Sequence, residues 1–109
     1  MITLEDFEKC DIRVGTIIQV DDFPQAKKPA FKLLIDLGEL GVKKSSAQIT
    51  HLYSKADLLH SQVICVCGFS AKQIGSFVSE VLTTGFILPS GEVVLSMPER
   101  KVPNGTKLA

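Results

Sequence analysis

Aromatic residues are scarce in this sequence. It contains no tryptophan, one tyrosine and six phenylalanines, and most of the phenylalanines occupy positions that predict a hydrophobic core. Proteins that hold single-stranded nucleic acid without sequence preference stack successive bases on exposed aromatic rings. We therefore do not expect an extended stacking platform on this protein.

An excess of charge of either sign is also missing. The 12 lysine and arginine residues balance the 12 aspartate and glutamate residues, so the formal net charge is zero at pH 7. A polyanion such as RNA would need a local basic patch, because no global field would steer it to the protein. This balance argues against tight nonspecific binding of nucleic acid.

No segment predicts export or membrane insertion. Residues 1–7 lack the basic and apolar regions of a signal peptide, and no apolar stretch is long enough to span a membrane. The three cysteines include Cys65 and Cys67 in an apolar run, where reduced and buried thiols are expected. These features predict a cytoplasmic protein without membrane insertion. The length of 109 residues predicts a single domain over residues 1–109.

Catalytic and metal-binding patterns are absent as well. The sequence contains no Gly-x-Gly-x-x-Gly, P-loop or Gly-x-Ser-x-Gly motif. His51 and His60 have no cysteine pair nearby at zinc-ligand spacing, so a surface or packing role is favoured over metal binding. Cys65 and Cys67 share one face of a strand, but nothing completes a four-ligand site, which favours packing. We predict a non-enzymatic protein without a metal or cofactor.

The order of predicted elements indicates a small β-barrel. Thr3 predicts the start of a short N-terminal helix, and residues 51–60 predict a helical connector with Ser54 as a possible N-cap and with Leu58 and Leu59 facing inward. Gly15 in the first strand predicts a bulge or a bend. Strands are predicted at residues 11–20, 30–37, 43–50, 62–69, 80–88 and 93–95, and residues 72–77 predict a loop or a single helical turn.

This count of five or so strands, in this order, is that of a mainly β, five-stranded Greek-key OB-fold barrel with a short N-terminal helix, a helical connector and a C-terminal tail. A β-sandwich is disfavoured because it would need about seven short strands. In the first strand, alternation places Ile18 on the same face as Val14.

Residues 30–50 predict a hairpin with an unusual second strand. Its first strand places Phe31, Leu33, Ile35 and Leu37 on one face, whereas the second strand has an outer row made only of hydrogen-bonding residues. That row is Lys44, Ser46, Gln48 and Thr50. The charge pattern alone favours a merely solvated row over a binding surface. OB barrels, however, bind oligomers on the face of strands 2 and 3 and on adjoining loops.

Several segments resemble a known family. Residues 11–17, Asp-Ile-Arg-Val-Gly-Thr-Ile, resemble the opening signature of tRNA-binding domains, which are OB-fold modules attached to methionyl- and phenylalanyl-tRNA synthetases and also found as free dimeric proteins. Within that family the similarity is closer to CsaA proteins, described as secretion-related chaperones. The segments that carry this closer resemblance are residues 23–33, 44–50, 79–82 and 102–107.

The resemblance implies a homodimer that binds tRNA, unfolded or presecretory polypeptides, or both. The family's binding positions are matched by four residues: Lys44, Ser46, Gln48 and Ser79. We add three lysines as contacts for phosphates or acidic groups, and one leucine as part of an apolar floor for peptide side chains. These are Lys32, Lys43, Lys72 and Leu82. The alternative is a stand-alone tRNA-binding protein that acts in trans with an aminoacyl-tRNA synthetase.

Overall fold

Five antiparallel strands form the frame of the structure, a computed structural model that describes residues 1–109. The main sheet has the order β3-β2-β1-β4-β7, and two separate hairpins pair β5 with β6 and β8 with β9. A 3-10 turn, Gly38–Leu40, joins β2 to β3. The elements are α1 (Leu4–Glu8), β1 (Asp11–Asp22), β2 (Phe31–Asp36), β3 (Val42–Ala47), α2 (Lys55–Leu58), β4 (Gln62–Cys67), β5 (Lys72–Ile74), β6 (Phe77–Ser79), β7 (Leu82–Thr83), β8 (Gly85–Ile87) and β9 (Val93–Leu95).

The two edge strands of this sheet, β3 and β7, come together and nearly close it into a barrel. The Lys44 carbonyl oxygen accepts hydrogen bonds from the backbone N–H groups of Glu80 and Val81, at 2.7 and 3.3 Å. The hydroxyl oxygens of Ser45 and Thr83 lie 2.8 Å apart, within hydrogen-bonding distance. The predicted five-stranded OB-type barrel is therefore confirmed.

Alternation along the strands produces the core. On β2, Phe31, Leu33 and Ile35 are buried, as predicted, and the odd-numbered residues of β4 are buried in the same way. The connector contributes Leu58, which is fully buried. Leu59 was expected to face inward too, but it is 40% exposed. The reason is that the chain becomes extended at Leu59, immediately after α2, and turns that side chain outward.

Both helices begin where the sequence predicts. Thr3 and Asp6 form a capping box at α1, in which each side chain accepts a hydrogen bond from the other residue's backbone N–H. Ser54 and Asp57 form the same arrangement at α2, and the hydrogen bond that the Asp57 carboxylate accepts from the Ser54 backbone N–H lowers the pKa of Asp57. No helix in the structure is long and apolar enough to cross a membrane.

Strand β1 contains the predicted irregularity, but not at Gly15. Gly15 pairs regularly with Val63 of β4. The register with β2 instead shifts between Ile17 and Gln19. Ile18 is the extra residue of this bulge and is 42% exposed, whereas Val14 is buried, so the prediction that the two share a face is wrong.

The region after β4 differs from the sequence prediction in two places. Residues 72–77, predicted as a loop or a helical turn, belong to the β5–β6 hairpin, which turns at Gly75 with φ of 61°. The single strand predicted over residues 80–88 is divided into β7 and β8. The division falls at Thr84, whose N–H and hydroxyl both donate to the Ile64 carbonyl oxygen, at 3.0 and 2.8 Å.

The turn after β8 follows the prediction. The Gly91 N–H donates to the Leu88 carbonyl oxygen at 2.8 Å, which places Pro89 and Gly91 at the first central and the last position of the turn. Further along, the C-terminal segment returns beside β1, where the Val14 N–H donates to the Thr106 carbonyl oxygen at 3.0 Å. This segment therefore covers part of the barrel.

Gly15 is required because β1 and β2 approach closely there. A Cβ atom at this position would lie 2.5 Å from Ile35 Cγ2, 2.8 Å from Leu37 Cδ2 and 3.0 Å from the Asp36 carbonyl oxygen. We expect Gly15→Ala to lower the free energy of unfolding by about 1–3 kcal/mol through overpacking, measured by denaturant titration. Gln19→Ala, an exposed change on the same strand, should stay within about 0.5 kcal/mol of the parent. Equal effects of the two changes would contradict the steric argument.

Candidate groove for an extended ligand

A surface groove of about 440 Å³ runs between the end of β3 and the β5–β6 hairpin. We call it the groove. It combines hydroxyl, amide and charged side chains with an apolar portion, and four of its ten lining residues are hydrophobic. The lining residues are Ser46, Gln48, Phe69, Ser70, Lys72, Ile74, Ser79, Glu80, Val81 and Leu82.

Five of the eight residues predicted to bind a ligand line this groove: Ser46, Gln48, Lys72, Ser79 and Leu82. They come from β3, from the segment just after it, and from the region around the β5–β6 hairpin. Strand alternation explains the contribution of β3, because its even-numbered residues face away from the core while Ser45 and Ala47 are buried. The structure therefore brings most of the predicted set together.

The polar residues of the groove differ in how far they are already engaged. The Ser46 hydroxyl and the Gln48 amide make no hydrogen bond within the chain, although the Ser46 backbone N–H donates to Ser79 Oγ at 3.2 Å. Ser79 Oγ in turn lies 3.5 Å from the Val81 carbonyl oxygen, at the limit of a hydrogen bond. Ser46 and Gln48 are thus free to bind a ligand, whereas Ser79 helps to hold the groove in shape.

Two predicted lysines, Lys32 and Lys44, lie around aromatic rings beside the groove. The rings of Phe23 and Phe77 pack edge to face, with centroids 5.3 Å apart. Lys32 Nζ lies 5.6 Å from the Phe23 centroid and 5.9 Å from the Phe77 centroid, and Lys44 Nζ lies 5.7 Å from the Phe77 centroid. We call these four residues the lysine–phenylalanine cluster. Neither ammonium group forms a salt bridge with a carboxylate.

Lys43 does not join the other predicted residues. It lines a separate cleft with Asp11, Cys67 and other residues near the start of β1. The physical reason is the alternation of β3, which sends Lys43 and Lys44 to opposite faces of the strand. Glu80 lines both cleft and groove, and its Oε1 accepts a hydrogen bond from the Lys44 backbone N–H at 3.0 Å.

Sequence reasoning missed the apolar and aromatic contributions of the second hairpin and of the loop before it. Phe77, at the start of β6, joins that hairpin to Phe23, and Ile74 and Phe69 supply apolar surface to the groove. A signal was present in the sequence. Gly75-Ser76 between two short runs containing apolar residues is typical of a two-residue hairpin turn.

The paired cysteines belong to the core. Cys65 and Cys67 lie on the same face of β4, as predicted, and both are buried. Burial, together with the neighbouring Cys67 thiol, raises the pKa of Cys65 to about 12, and burial also raises the pKa of Cys67. Both thiols therefore stay protonated at neutral pH, which disfavours their use as nucleophiles or thiolate ligands.

A nearly closed OB barrel with a lined groove beside β3 defines a class of small binding modules. A family model described as "Putative tRNA binding domain" matches residues 12–107. The chain therefore belongs to the tRNA-binding-domain family, and its similarity to CsaA proteins places it with the CsaA-type members.

The solved structures support this placement. The structure of chaperone CsaA from Bacillus anthracis is 45% identical with a TM-score of 0.95, and that of the CsaA chaperone protein from Picrophilus torridus is 49% identical with a TM-score of 0.94. Both matches cover 100% of this chain and 99% and 100% of those chains. A MetRS-related protein from Pyrococcus horikoshii, 20% identical with a TM-score of 0.88, supports the fold alone.

Curated relatives extend the similarity to much longer proteins. Methionine--tRNA ligase of Thermococcus onnurineus is 33% identical over 98% of this chain, and that of Pyrococcus horikoshii is 34% identical over 98%. In each case the match spans 14% of the ligase. This chain therefore corresponds to a small part of those enzymes.

Phe77 should hold the β5–β6 hairpin against the barrel. In Phe77→Leu the edge-to-face contact with Phe23 and the cation–π contacts with Lys32 and Lys44 are lost, and we expect faster amide exchange across residues 72–79. The opening free energy should fall by about 1 kcal/mol, measured by hydrogen–deuterium exchange with mass spectrometry. Phe69→Leu is the matched control, because Phe69 lies outside the cluster. Unchanged exchange in Phe77→Leu would contradict this role.

Proposed function

We propose that this protein is a non-enzymatic, CsaA-like chaperone that holds unfolded or presecretory polypeptide in the groove, with tRNA as a second ligand. The observation that carries the proposal is the composition of the groove, in which unpaired hydrogen-bonding side chains lie beside apolar side chains. An extended polypeptide presents the same combination, since its backbone N–H and C=O groups alternate with side chains of varied polarity.

The polar side of the groove suits a peptide backbone. The Gln48 side-chain amide both donates and accepts hydrogen bonds, and the Ser46 hydroxyl does the same. Because neither has a partner within the chain, neither needs to break an existing hydrogen bond in order to bind. Such contacts to a backbone do not depend on sequence, as a chaperone for varied clients requires.

The apolar side would take hydrophobic side chains of the client. Leu82 is 51% exposed and Phe69 is 57% exposed, so burying them under a ligand would remove apolar surface from water. The charges in the groove are few, with Lys72 and Glu80 of opposite sign. This balance favours a polypeptide over a polyanion within the groove itself.

The lysines beside the groove would widen the range of clients. Lys32 and Lys44 have no carboxylate partner, so their ammonium groups are available to acidic side chains. Lys72 adds a cation on the groove lining, whereas Lys43 would act only on ligands that reach the cleft near Asp11. The contribution of each exposed charge would be small and sensitive to salt.

Binding of tRNA is the second candidate, and the family match favours it. Its alternative form is a stand-alone tRNA-binding protein that acts in trans with an aminoacyl-tRNA synthetase, consistent with the similarity to part of two methionine--tRNA ligases. Co-purification of a synthetase without suppression of aggregation would favour this alternative. A cytoplasmic location and a role in protein secretion form part of the first proposal, in which the clients are captured before export.

The groove proposal is tested with Lys44→Ala/Gln48→Ala. We expect about tenfold weaker binding of a fluorescent unfolded polypeptide, equivalent to about 1.4 kcal/mol, and a matching loss of aggregation suppression. Polypeptide binding should hold or strengthen in a kosmotropic salt such as sulfate, because apolar contacts dominate it. The control Lys43→Ala/Gln19→Ala removes the same side-chain types away from both the groove and the lysine–phenylalanine cluster. Equal binding by the parent and the groove variant would rule out the groove as the site.

A homodimer is the second part of the proposal, because apolar side chains remain uncovered on the β8–β9 hairpin. Phe86 and Val94 pair across this hairpin and are 65% and 38% exposed, and neighbouring Ile87 is 79% exposed. Leu4 of the short helix α1 is also exposed, at 73%. A two-fold partner would bury such surface and bring two grooves into one assembly.

The dimer has its own test. At micromolar concentration the parent should show the mass of two chains by sedimentation or light scattering. Phe86→Glu should give the mass of one chain, because it would place a charge in the proposed contact. Leu52→Glu introduces the same charge at an exposed leucine of the connector and should leave the mass unchanged. A parent with the mass of a single chain would refute the dimer.

A further inference from the structure

A second cleft, separate from the groove, lies where the chain enters β4 and where the C-terminal segment passes over it. It is bounded by residues 60–62 on one side and residues 97–101 on the other, with Thr16 also in its lining, and has a volume of about 600 Å³. We call it the polar cleft. It shares no lining residue with the groove.

The polar cleft differs from the groove in chemistry. Only one of its nine lining residues is hydrophobic, against four of ten in the groove. It carries Arg100 and Lys101 as cations, together with the imidazole of His60. The single carboxylate, Glu99, is paired with Nε of Arg100, and Lys101 has no carboxylate partner. The lining is therefore suited to an anionic ligand and offers little to an apolar one.

The segment that carries these cations is held in place from both ends. At one end the Gln62 amide clamps Val102, since Gln62 Nε2 donates to the Val102 carbonyl oxygen at 2.7 Å and Gln62 Oε1 accepts from the Val102 N–H at 3.1 Å. At the other end the Ser96 N–H donates to the Thr84 carbonyl oxygen at 3.1 Å. Hydrogen bonds within the chain thus fix both ends of the segment that carries Arg100 and Lys101.

His60 provides an independent indication that this cleft is used. It is the only non-glycine residue with a positive φ, at 72°, and it follows α2 at the place where helices commonly end on a left-handed glycine. Its N–H donates to the Ile17 carbonyl oxygen at 2.8 Å, a backbone contact that glycine would make equally well. Glycine would adopt this conformation at lower cost. The histidine side chain, which lines the cleft, therefore stands at a position where a non-glycine residue carries a local conformational penalty.

We propose that the polar cleft binds the phosphodiester backbone of RNA, so that RNA and polypeptide occupy different surfaces of this protein. The inference rests on the proposal above that tRNA is a second ligand. The guanidinium of Arg100 and the ammonium of Lys101 contact phosphate oxygens. His60 contacts a phosphate or stacks on an unpaired base. The apolar groove is left to polypeptide.

The test compares three cleft variants with the groove variant in tRNA filter binding at several salt concentrations. Lys101→Ala should weaken binding about three- to tenfold and reduce the slope of log affinity against log salt by about 1. Glu99→Gln should tighten binding, because it removes the only carboxylate of the cleft. Lys44→Ala/Gln48→Ala, the groove variant, should lower the tRNA affinity less than Lys101→Ala does, because both of its residues lie outside the polar cleft.

His60→Gly gives the sharpest contrast. If the side chain serves only the fold, this change should raise the denaturant midpoint and leave tRNA binding as it was. The proposal expects the midpoint to rise or hold while tRNA binding weakens about threefold or more. All three cleft variants should still bind the unfolded polypeptide as the parent does.

The outcomes separate this inference from the proposed function. If tRNA binding falls in the groove variant and not in the cleft variants, the polar cleft is rejected while tRNA binding stands. If inorganic phosphate displaces tRNA as effectively as competitor RNA does at the same concentration of phosphate groups, the cleft takes small anions. The RNA assignment is then overturned. If the parent binds no tRNA at low salt, the tRNA proposal fails and this inference fails with it, whatever the result for polypeptide.

Discussion

Closure of the barrel at the carbonyl group of Lys44 is the constraint on which the groove depends. This one oxygen accepts from the N–H groups of both Glu80 and Val81 and so holds the segment before β7 against the middle of β3. The same segment carries Ser79, whose hydroxyl accepts from the Ser46 N–H. Without these bonds, the outer row of β3 would face water alone. With them, it forms one side of a groove.

The same closure explains why a polar residue sits in the core. Ser45 is fully buried, yet its hydroxyl meets that of Thr83 across the junction of β3 and β7. A buried hydroxyl without a partner would destabilise the fold, whereas a paired one fixes the register of two edge strands. Fixing this register also fixes which residues of β3 face the groove. Lys44 and Ser46 face outward because Ser45 faces inward.

Strand alternation made the first half of the molecule predictable from sequence. Along the strands of the β2–β3 hairpin, side chains alternate between the two faces with a period of two residues. The inward row and the outward placement of Lys44 and Ser46 therefore follow from periodicity. Periodicity fails where a bulge adds a residue, which is why Ile18 was assigned to the wrong face of β1. It also fails for strands of two or three residues, which are too short to show a period. The β5–β6 hairpin and the break at Thr84 were missed for that reason.

The candidate site was predictable to a similar degree. The residues found from sequence were those on or just after β3, the family-matched Ser79, and Lys72 and Leu82 from the later segments. All of them were placed by local order along the chain. The contribution of Phe77 depends on its contact with Phe23, more than fifty residues earlier in the chain. Lys43 was included because it is adjacent to Lys44 in sequence, although neighbours on a strand face opposite ways. Contacts between distant segments are what the sequence could not supply.

Because this protein has no net charge, a polyanion would need a local basic region, and the two proposed sites keep such a region apart from the apolar groove. In this fold the separation follows from the route of the chain. The β5–β6 hairpin and the loop before it bring Ile74 and Phe69 to the β3 side, whereas the C-terminal segment brings Arg100 and Lys101 to the start of β4. Two surfaces built from different segments can be altered independently, so one ligand could be lost without the other. Members of the family with the same barrel could therefore differ in ligand through changes in these two segments alone.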